Sequence, residues 1–325
     1  MIVDVHSHLF PEGWRGHGRM PEQMFSPEVL LERQEEAGVE MTVVSDAHIW
    51  YGELDLGAIE TVREFNEFAA GLQRDHRGRL AALGTVYPWR GTAQIDEAVR
   101  AVRELGLPGL ALATSDRGRY LDEVPDGFWE AVTDLGVPIF LHPGGTVVGQ
   151  DLMSQYRLGE LCGRPLDMTV TLSRFILWGV YERWPELRLI CAHAGGAICA
   201  IADRLDFGHE LRDYAPLGPW GEVELSRPPS EYVCQLDLDT VTFGERGLRL
   251  ALETVGAGRL HLGSDGPPLP FPLSRAVANV DALGLADGDR EAVLGGNSAA
   301  LLGLATAYCG DRQQSTLSGG HRNDG

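Results

Sequence analysis

Hydrophobic positions along the chain gather into eight short runs, each followed by a stretch with the spacing of an amphipathic helix. The runs are MIVDV, EMTVVS, LAALGTV, GLALA, VPIFLH, LRLICAH, YVCQLDLD and RLHLGSD. They are rich in β-branched residues and several are apolar almost throughout, the pattern of parallel strands covered on both faces. The stretches between them carry helix signals. SPEVLLERQEEAG offers Ser26 as N-cap, Pro27 at the first helical position and Gly38 just past the end. AQIDEAVRAVRELG repeats the form and stops at Gly106, and DGFWEAVTDLG, SRFILWGVYERW, GAICAIADRLDF and ERGLRLALETVG supply further helices. Strand–helix alternation of this length predicts an α/β fold, a (β/α)8 TIM barrel. The alternative is a doubly wound open sheet, which calls for a Gly-rich phosphate turn after an early strand, and none is present.

Three segments are longer than a connection needs: Phe10 to Met24, Gly144 to Asp167, and Asp213 to Ser230. All are expected on the βα side, where a barrel builds its pocket. A helical segment from Asp287 to Leu304 is expected to close the barrel. Residues 1–305 thus read as one barrel domain, and the polar, Gly-rich tail 306–325 as disordered.

Composition narrows the function. A formal charge of −20 over 325 residues argues against nucleic acid, whose phosphates need a basic surface. No apolar run approaches the roughly 20 residues of a membrane span, and MIVDVHSH lacks the basic-then-apolar pattern of a leader. Cys162, Cys191, Cys199, Cys234 and Cys309 are an odd set without CxxC spacing, read as reduced thiols in a cytoplasmic protein.

The barrel register brings ligand-type residues to one rim. His6 and His8 end the first run, His142 the fifth, His193 the sixth, and Asp265 the last. These are C-terminal strand ends, where barrel enzymes place their chemistry. Two residues apart on a strand, His6 and His8 face the same side. Imidazoles and a carboxylate suit Zn²⁺ and related divalent ions, with a position left open for catalysis. Taken singly, a histidine after an apolar strand is more often a satisfied rim residue than a ligand, and Asp265 in GSDG reads equally as a turn aspartate or helix cap. Together on one rim they favour a mononuclear metal site.

HSH after an opening strand, FLHP, CAHAGGAICAIADR, GSDGPPLPFPLSR and GGNSAALLGL resemble the amidohydrolase superfamily, in particular the branch related to aminocarboxymuconate-semialdehyde decarboxylase (amidohydrolase-related family 2). The resemblance runs from Ile2 to about Leu304. It implies one divalent ion, Zn²⁺ first and Mn²⁺ as the alternative, held by His6, His8, His142 and Asp265. It further implies His193 as the acid–base beside Asp265, and a nonoxidative decarboxylase of a small aromatic or unsaturated carboxylate. A hydrolase, a lactonase or a hydratase uses the same site, and a metal-free binding barrel is the distant alternative. Arg204, eleven residues after His193, matches an arginine that in the resembled decarboxylase reaches the neighbouring subunit's substrate, which implies a homodimer; the surface reading pairs it with Asp203 or Asp206.

The chain also departs from its relatives. Gly266 stands where they often carry an aromatic, opening room for a larger substrate. The arginine of some relatives' first loop has only Arg15 and Arg19 as candidates. Trp50, Tyr51, Trp89 and Arg90 fall at rim positions, where an aromatic stacks on a planar substrate or packs its own loop. Trp178 and Trp184 read as core.

Overall fold

The structure is a computed structural model that describes residues 1–304 except 215, 217–219 and 222. The tail 306–325 and part of the segment 213–230 therefore lie outside the described residues.

The strands of the two parallel sheets are β1 (Val3–His8), β2 (Met41–Ser45), β3 (Leu80–Ala82), β4 (Gly84–Thr85), β5 (Leu110–Ala113), β6 (Ile139–His142), β7 (Leu189–Cys191), β8 (Asp237–Asp239) and β9 (Leu260–His261). They form a parallel sheet β1-β2-β3 and a second parallel sheet β9-β8-β7-β6-β5-β4. One expected strand, LAALGTV, is thus split between the two. The chain passes from sheet to sheet at Leu83, whose N–H donates to Val44 O at 2.9 Å, while Gly84 N–H donates to Gly109 O at 3.0 Å. At the opposite seam Val5 N–H donates to Leu262 O, Asp265 N–H to His6 O, and His8 N–H to Gly266 O, at 2.9 to 3.0 Å. These bonds bring the two ends of the chain together around the rim.

The main helices are α1 (Pro27–Ala37), α2 (Ile59–Asp75), α3 (Thr92–Arg103), α4 (Asp126–Leu135), α5 (Arg164–Leu177), α6 (Ile198–Glu210), α7 (Glu245–Val255) and α8 (Ser274–Asp281). α1 starts on Pro27 and ends at Gly38 with φ 67°, a left-handed cap that glycine adopts without strain. Ser26 sits at the N-cap, but its hydroxyl donates to Glu28 and no side-chain cap forms. Two expectations shift. YVCQLDLD opens on the end of a short helix, Pro229–Val233, because paired prolines start a helical turn there, and only Asp237–Asp239 is strand. The helix around SRFILWGVYERW breaks at Gly179, φ 75°, and resumes over Val180–Arg183.

One apolar layer lies between strands and helices, and a second fills the barrel interior with Val3, Val5, Met41, Val43, Phe140 and Ile190. The helical segment from Asp287 packs beneath the strands, inserting Ala299, Leu302 and Leu304 into that inner layer. It passes so close to the N-terminus that a Cβ on Gly295 would collide with Met1 O. Among the described residues no helix is long and apolar enough to cross a membrane.

Gly295→Ala should therefore lower the folding free energy by about 1–3 kcal/mol, the usual cost of overpacking a rigid contact. Urea unfolding measures it; an unchanged midpoint would show that the contact yields.

Candidate metal centre

The rim is built from a change of phase in β1. Val3 and Val5 belong to the inner layer, so plain alternation would aim Ser7 inward. The register of β1 against β2 shifts between Asp4 and Ser7, and such an irregularity turns the next side chains by one face. His6 and His8 consequently enter the barrel mouth, where His6 lies 5.0 Å from the Phe140 ring and 5.1 Å from the His142 ring, between centroids. On β6 alternation is undisturbed: Phe140 and His142 share the inner face.

His6, His8, His142 and Asp265 each present one donor atom, and the four atoms lie within 4.8 Å of one another, all buried. The opposite ring nitrogens explain why those atoms are free to ligate. His6 Nδ1 donates to Asp239 Oδ2 at 2.6 Å, His8 Nδ1 to Ser45 O at 3.3 Å, and His142 Nδ1 to Pro143 O at 2.9 Å. An acceptor at each Nδ1 holds a proton there and leaves Nε2 as the atom facing inward, a lone pair on His8 and His142 and, on His6, a site that ligates once a cation displaces its second proton. His142 Nε2 has no protein partner. His6 Nε2 and His8 Nε2 face each other at 3.1 Å, and both lie within 3.5 Å of Asp265 Oδ1. Lone pairs and a carboxylate aimed at one point fit a divalent cation.

Asp239 does more than orient His6. Its Oδ1 accepts from Ala194 N–H at 2.8 Å and Val241 N–H at 3.0 Å. Ala194 belongs to the turn that carries His193, and both residues have positive φ, 53° and 51°. Non-glycine residues adopt that region only where the surroundings hold them. Here Asp239 holds the turn from one side, and Gly196 lets it press against Pro165 O, where a Cβ would clash. His193 is thereby aimed at the centre, 5.3 Å from the His6 ring and 5.6 Å from that of His142, with Nε2 buried and unpartnered. Asp4, buried beneath, accepts from His6 N–H, Ser264 N–H and the hydroxyls of Ser7 and Ser264. It ties β1 to the Asp265 loop.

Electrostatics follow the same geometry. Burial disfavours a charged His6, yet Asp265 and Asp239 outweigh it and lift the imidazole to about 10. Burial lowers His8, and burial with the neighbouring imidazoles pushes His142 well below its ordinary value. Burial resists ionisation of Asp265, but His6 and the hydrogen bonds from both histidines hold it well below the carboxylate range. Burial also brings His193 down to about 4, so it is neutral at pH 7 rather than titrating near it.

Other residues expected at the site are placed elsewhere. Trp50 packs against Phe10 and Trp14 at 5.3 and 5.5 Å between centroids. Trp89 is buried and donates to Tyr120 O at 2.8 Å, while Arg90 is bound by Asp116 and Asp55. These three side chains serve loop packing and ion pairing, held by Phe10 and Trp14, by Tyr120, and by Asp116 and Asp55. Tyr51 does line the cavity beside the metal centre. Arg15 is occupied by Glu12 and Glu22. Arg204 is exposed on α6 and pairs with neither Asp203 nor Asp206 among the described residues; Asp206 is engaged by Ser230. Trp184 is buried, and Trp178 packs half-buried against the core.

Two site residues were not apparent from the sequence. Asp239 had a signal, since a strand rarely carries two aspartates unless they are bonded. Arg164, at the start of α5, had none. It lines both cavities that open on the centre, of about 280 and 550 Å³.

Comparison with known proteins bears on this centre. A family model described as Amidohydrolase matches residues 3–304. The chain is 26% identical to a 2-amino-3-carboxymuconate-6-semialdehyde decarboxylase of Dictyostelium discoideum, over 93% of this chain and 91% of that one. The solved 5-carboxyvanillate decarboxylase of Sphingomonas paucimobilis superposes with a TM-score of 0.78 at 21% identity, covering 93% of this chain and 98% of that one. A dihydroxybenzoic acid decarboxylase from Polaromonas, solved with bound manganese and the inhibitor 2-nitroresorcinol, gives 0.77 at 20% identity, covering 94% and 97%.

His142→Ala should abolish stoichiometric metal binding, and Asp239→Asn should weaken it about 10–100-fold, the usual effect of removing a ligand's hydrogen-bond partner. Elemental analysis and competition with a chelator measure both. Full metal content in His142→Ala would remove His142 from the ligand set.

Proposed function

The chain belongs to the amidohydrolase family, and from this we propose that it is a metal-dependent nonoxidative decarboxylase of a small aromatic or unsaturated carboxylate. The observation that carries this reading is His193, whose buried Nε2 has no partner among the described residues, held against a cluster of three imidazoles and one carboxylate. The decarboxylase relative that matches along almost the whole chain supports the choice over a hydrolase, lactonase or hydratase.

The ligand set we assign is His6, His8, His142 and Asp265, for one divalent ion. Nitrogen-rich coordination favours Zn²⁺, with Mn²⁺ the alternative. When bound, the ion supplies Lewis-acid charge beside the substrate. Asp239 keeps His6 in the ligating tautomer and His193 in reach. Because burial keeps His193 neutral at pH 7, it enters the cycle as a base. It takes up a proton from solvent and delivers it to the carbon that bears the carboxylate; the carbon–carbon bond then breaks, CO₂ departs, and the new C–H bond remains. Asp265 sits next to this exchange, its ionised form favoured by His6. Gly266, whose carbonyl accepts from His8 N–H, is buried, and a Cβ there would meet Ser264 Oγ at 3.2 Å, so the position is packed rather than opened for a larger substrate.

Arg204 is assigned to the substrate across a homodimer interface. It is exposed, free of the acidic neighbours that a surface role would use, and lies outside both cavities of its own subunit. A guanidinium fork binds a carboxylate through two parallel hydrogen bonds.

His193→Ala should retain its metal and lose roughly 10²–10⁴-fold in CO₂ release from a panel of aromatic and muconate-type carboxylates. Loss of metal in this variant would make His193 a ligand, and water addition without CO₂ would move the reading to a hydratase. Verified heterodimers of Arg204→Ala with His193→Ala should recover activity, in the one site that combines an intact His193 with a borrowed Arg204. Absence of recovery would confine Arg204 to the surface.

A further inference from the structure

The cavity that opens on His193 and Asp265 has a volume of about 550 Å³, within the range that holds one small ligand. Two cations line it, Arg157 and Arg164, with Glu160 between them in sequence. Arg157 is exposed and paired with Glu160. Arg164 is half-buried, and its guanidinium makes no hydrogen bond or ion pair among the described residues. It also lines the smaller cavity with His8, His142 and Asp265. A half-buried guanidinium without a partner carries a desolvation cost that a ligand anion would offset.

Its backbone is fixed to the centre. Thr169 Oγ1 donates to Pro165 O at 2.7 Å and accepts from Ala197 N–H at 2.8 Å, which ties the first turn of α5 to the chain just past the His193 turn. Gly196 packs directly against Pro165 O. A π-turn, Gly159–Gly163, precedes α5, and Gly163 admits Val147 where a Cβ would collide. Arg164 thus sits at a set offset from His193, as a specificity residue must.

We propose that Arg164 is the cis-acting anchor for a second, non-departing carboxylate, which makes the favoured substrates dicarboxylates. The chemistry decides which carboxylate it holds. A carboxylate that leaves as CO₂ loses its charge, so a guanidinium bound to it would stabilise the ground state and oppose the reaction. One bound to a carboxylate that stays charged throughout contributes equally to ground and transition states, and so sets affinity and orientation. The exposed faces of Phe243 and Phe271, on the same cavity, flank the space left for a planar ring. This assignment deepens the proposed decarboxylase reading and rests on it for the identity of the departing group.

The test uses binding rather than turnover, so that it stands apart from the reaction. Isophthalate and benzoate, the diacid and its monoacid counterpart, are titrated calorimetrically into metal-loaded wild type, Arg164→Ala, Arg164→Lys and Arg157→Ala. Wild type should bind isophthalate more tightly than benzoate. Arg164→Ala should lose about 10–100-fold for isophthalate, the worth of one charge-assisted hydrogen-bonded pair, and bind benzoate as wild type does. Arg164→Lys should keep part of the preference, and Arg157→Ala most of it. Equal weakening of both ligands, an unchanged diacid preference in Arg164→Ala, or no diacid preference in wild type would each overturn the assignment. Metal content and thermal midpoint confirm that the variants are folded. Should the preference behave as expected while no diacid yields CO₂, the anchor stands and the decarboxylase reading fails.

Discussion

The carboxylate of Asp239 is the constraint on which the centre depends. One oxygen takes the Nδ1 proton of His6, and the other takes the backbone N–H of Ala194 next to His193. A single buried group thus fixes both a ligand's tautomer and the strained turn that aims the proton-transfer residue. Its burial makes both bonds strong, since an anion without partners would be costly there. The arrangement also balances charge: Asp239 and Asp265 call for a cation, supplied by protonated His6 in the bare protein and by a divalent ion in the loaded one. The barrel supplies the convergence. β1 and the loop after β9 stand more than 250 residues apart in sequence yet share hydrogen bonds at the rim.

Within that frame the site divides into a rigid half and an adaptable half. The histidine ligands sit on strand ends with their rings locked by neighbouring oxygens, and Asp265 follows on the loop after β9. The cavity wall comes from longer connections and from the start of α5, where Arg164, Phe243, Leu269 and Phe271 face open space. Substitution in this wall can change which molecule fits without moving the ligands, which is how one barrel serves different substrates.

Much of this was legible in the chain itself. Apolar runs marked the strands because parallel strands are covered on both faces, and proline and glycine marked the limits of α1. His6, His8, His142, His193 and Asp265 stood out because strand ends on one rim bring distant residues together. The missing parts are those set by contacts that no local pattern records. The phase change in β1 arises from pairing with β2, and without it the opening HSH would aim its serine inward. The loops bearing Trp50, Trp89 and Arg90 turn toward Phe10, Tyr120 and Asp116, partners remote in sequence. Asp239 hid in a run that opens on the end of a helix and is strand only over its last part. Arg164 carries no motif; only the closeness of α5 to the His193 turn brings it to the cavity.

Anomalous diffraction from crystals loaded with Mn²⁺ tests the central claim most directly. The account predicts one strong peak in the barrel mouth, about 2.1 Å from the Nε2 atoms of His6, His8 and His142 and from an Asp265 oxygen. His193 should lie outside bonding distance. A peak bonded to His193, or one placed away from the β1 histidines, would contradict it.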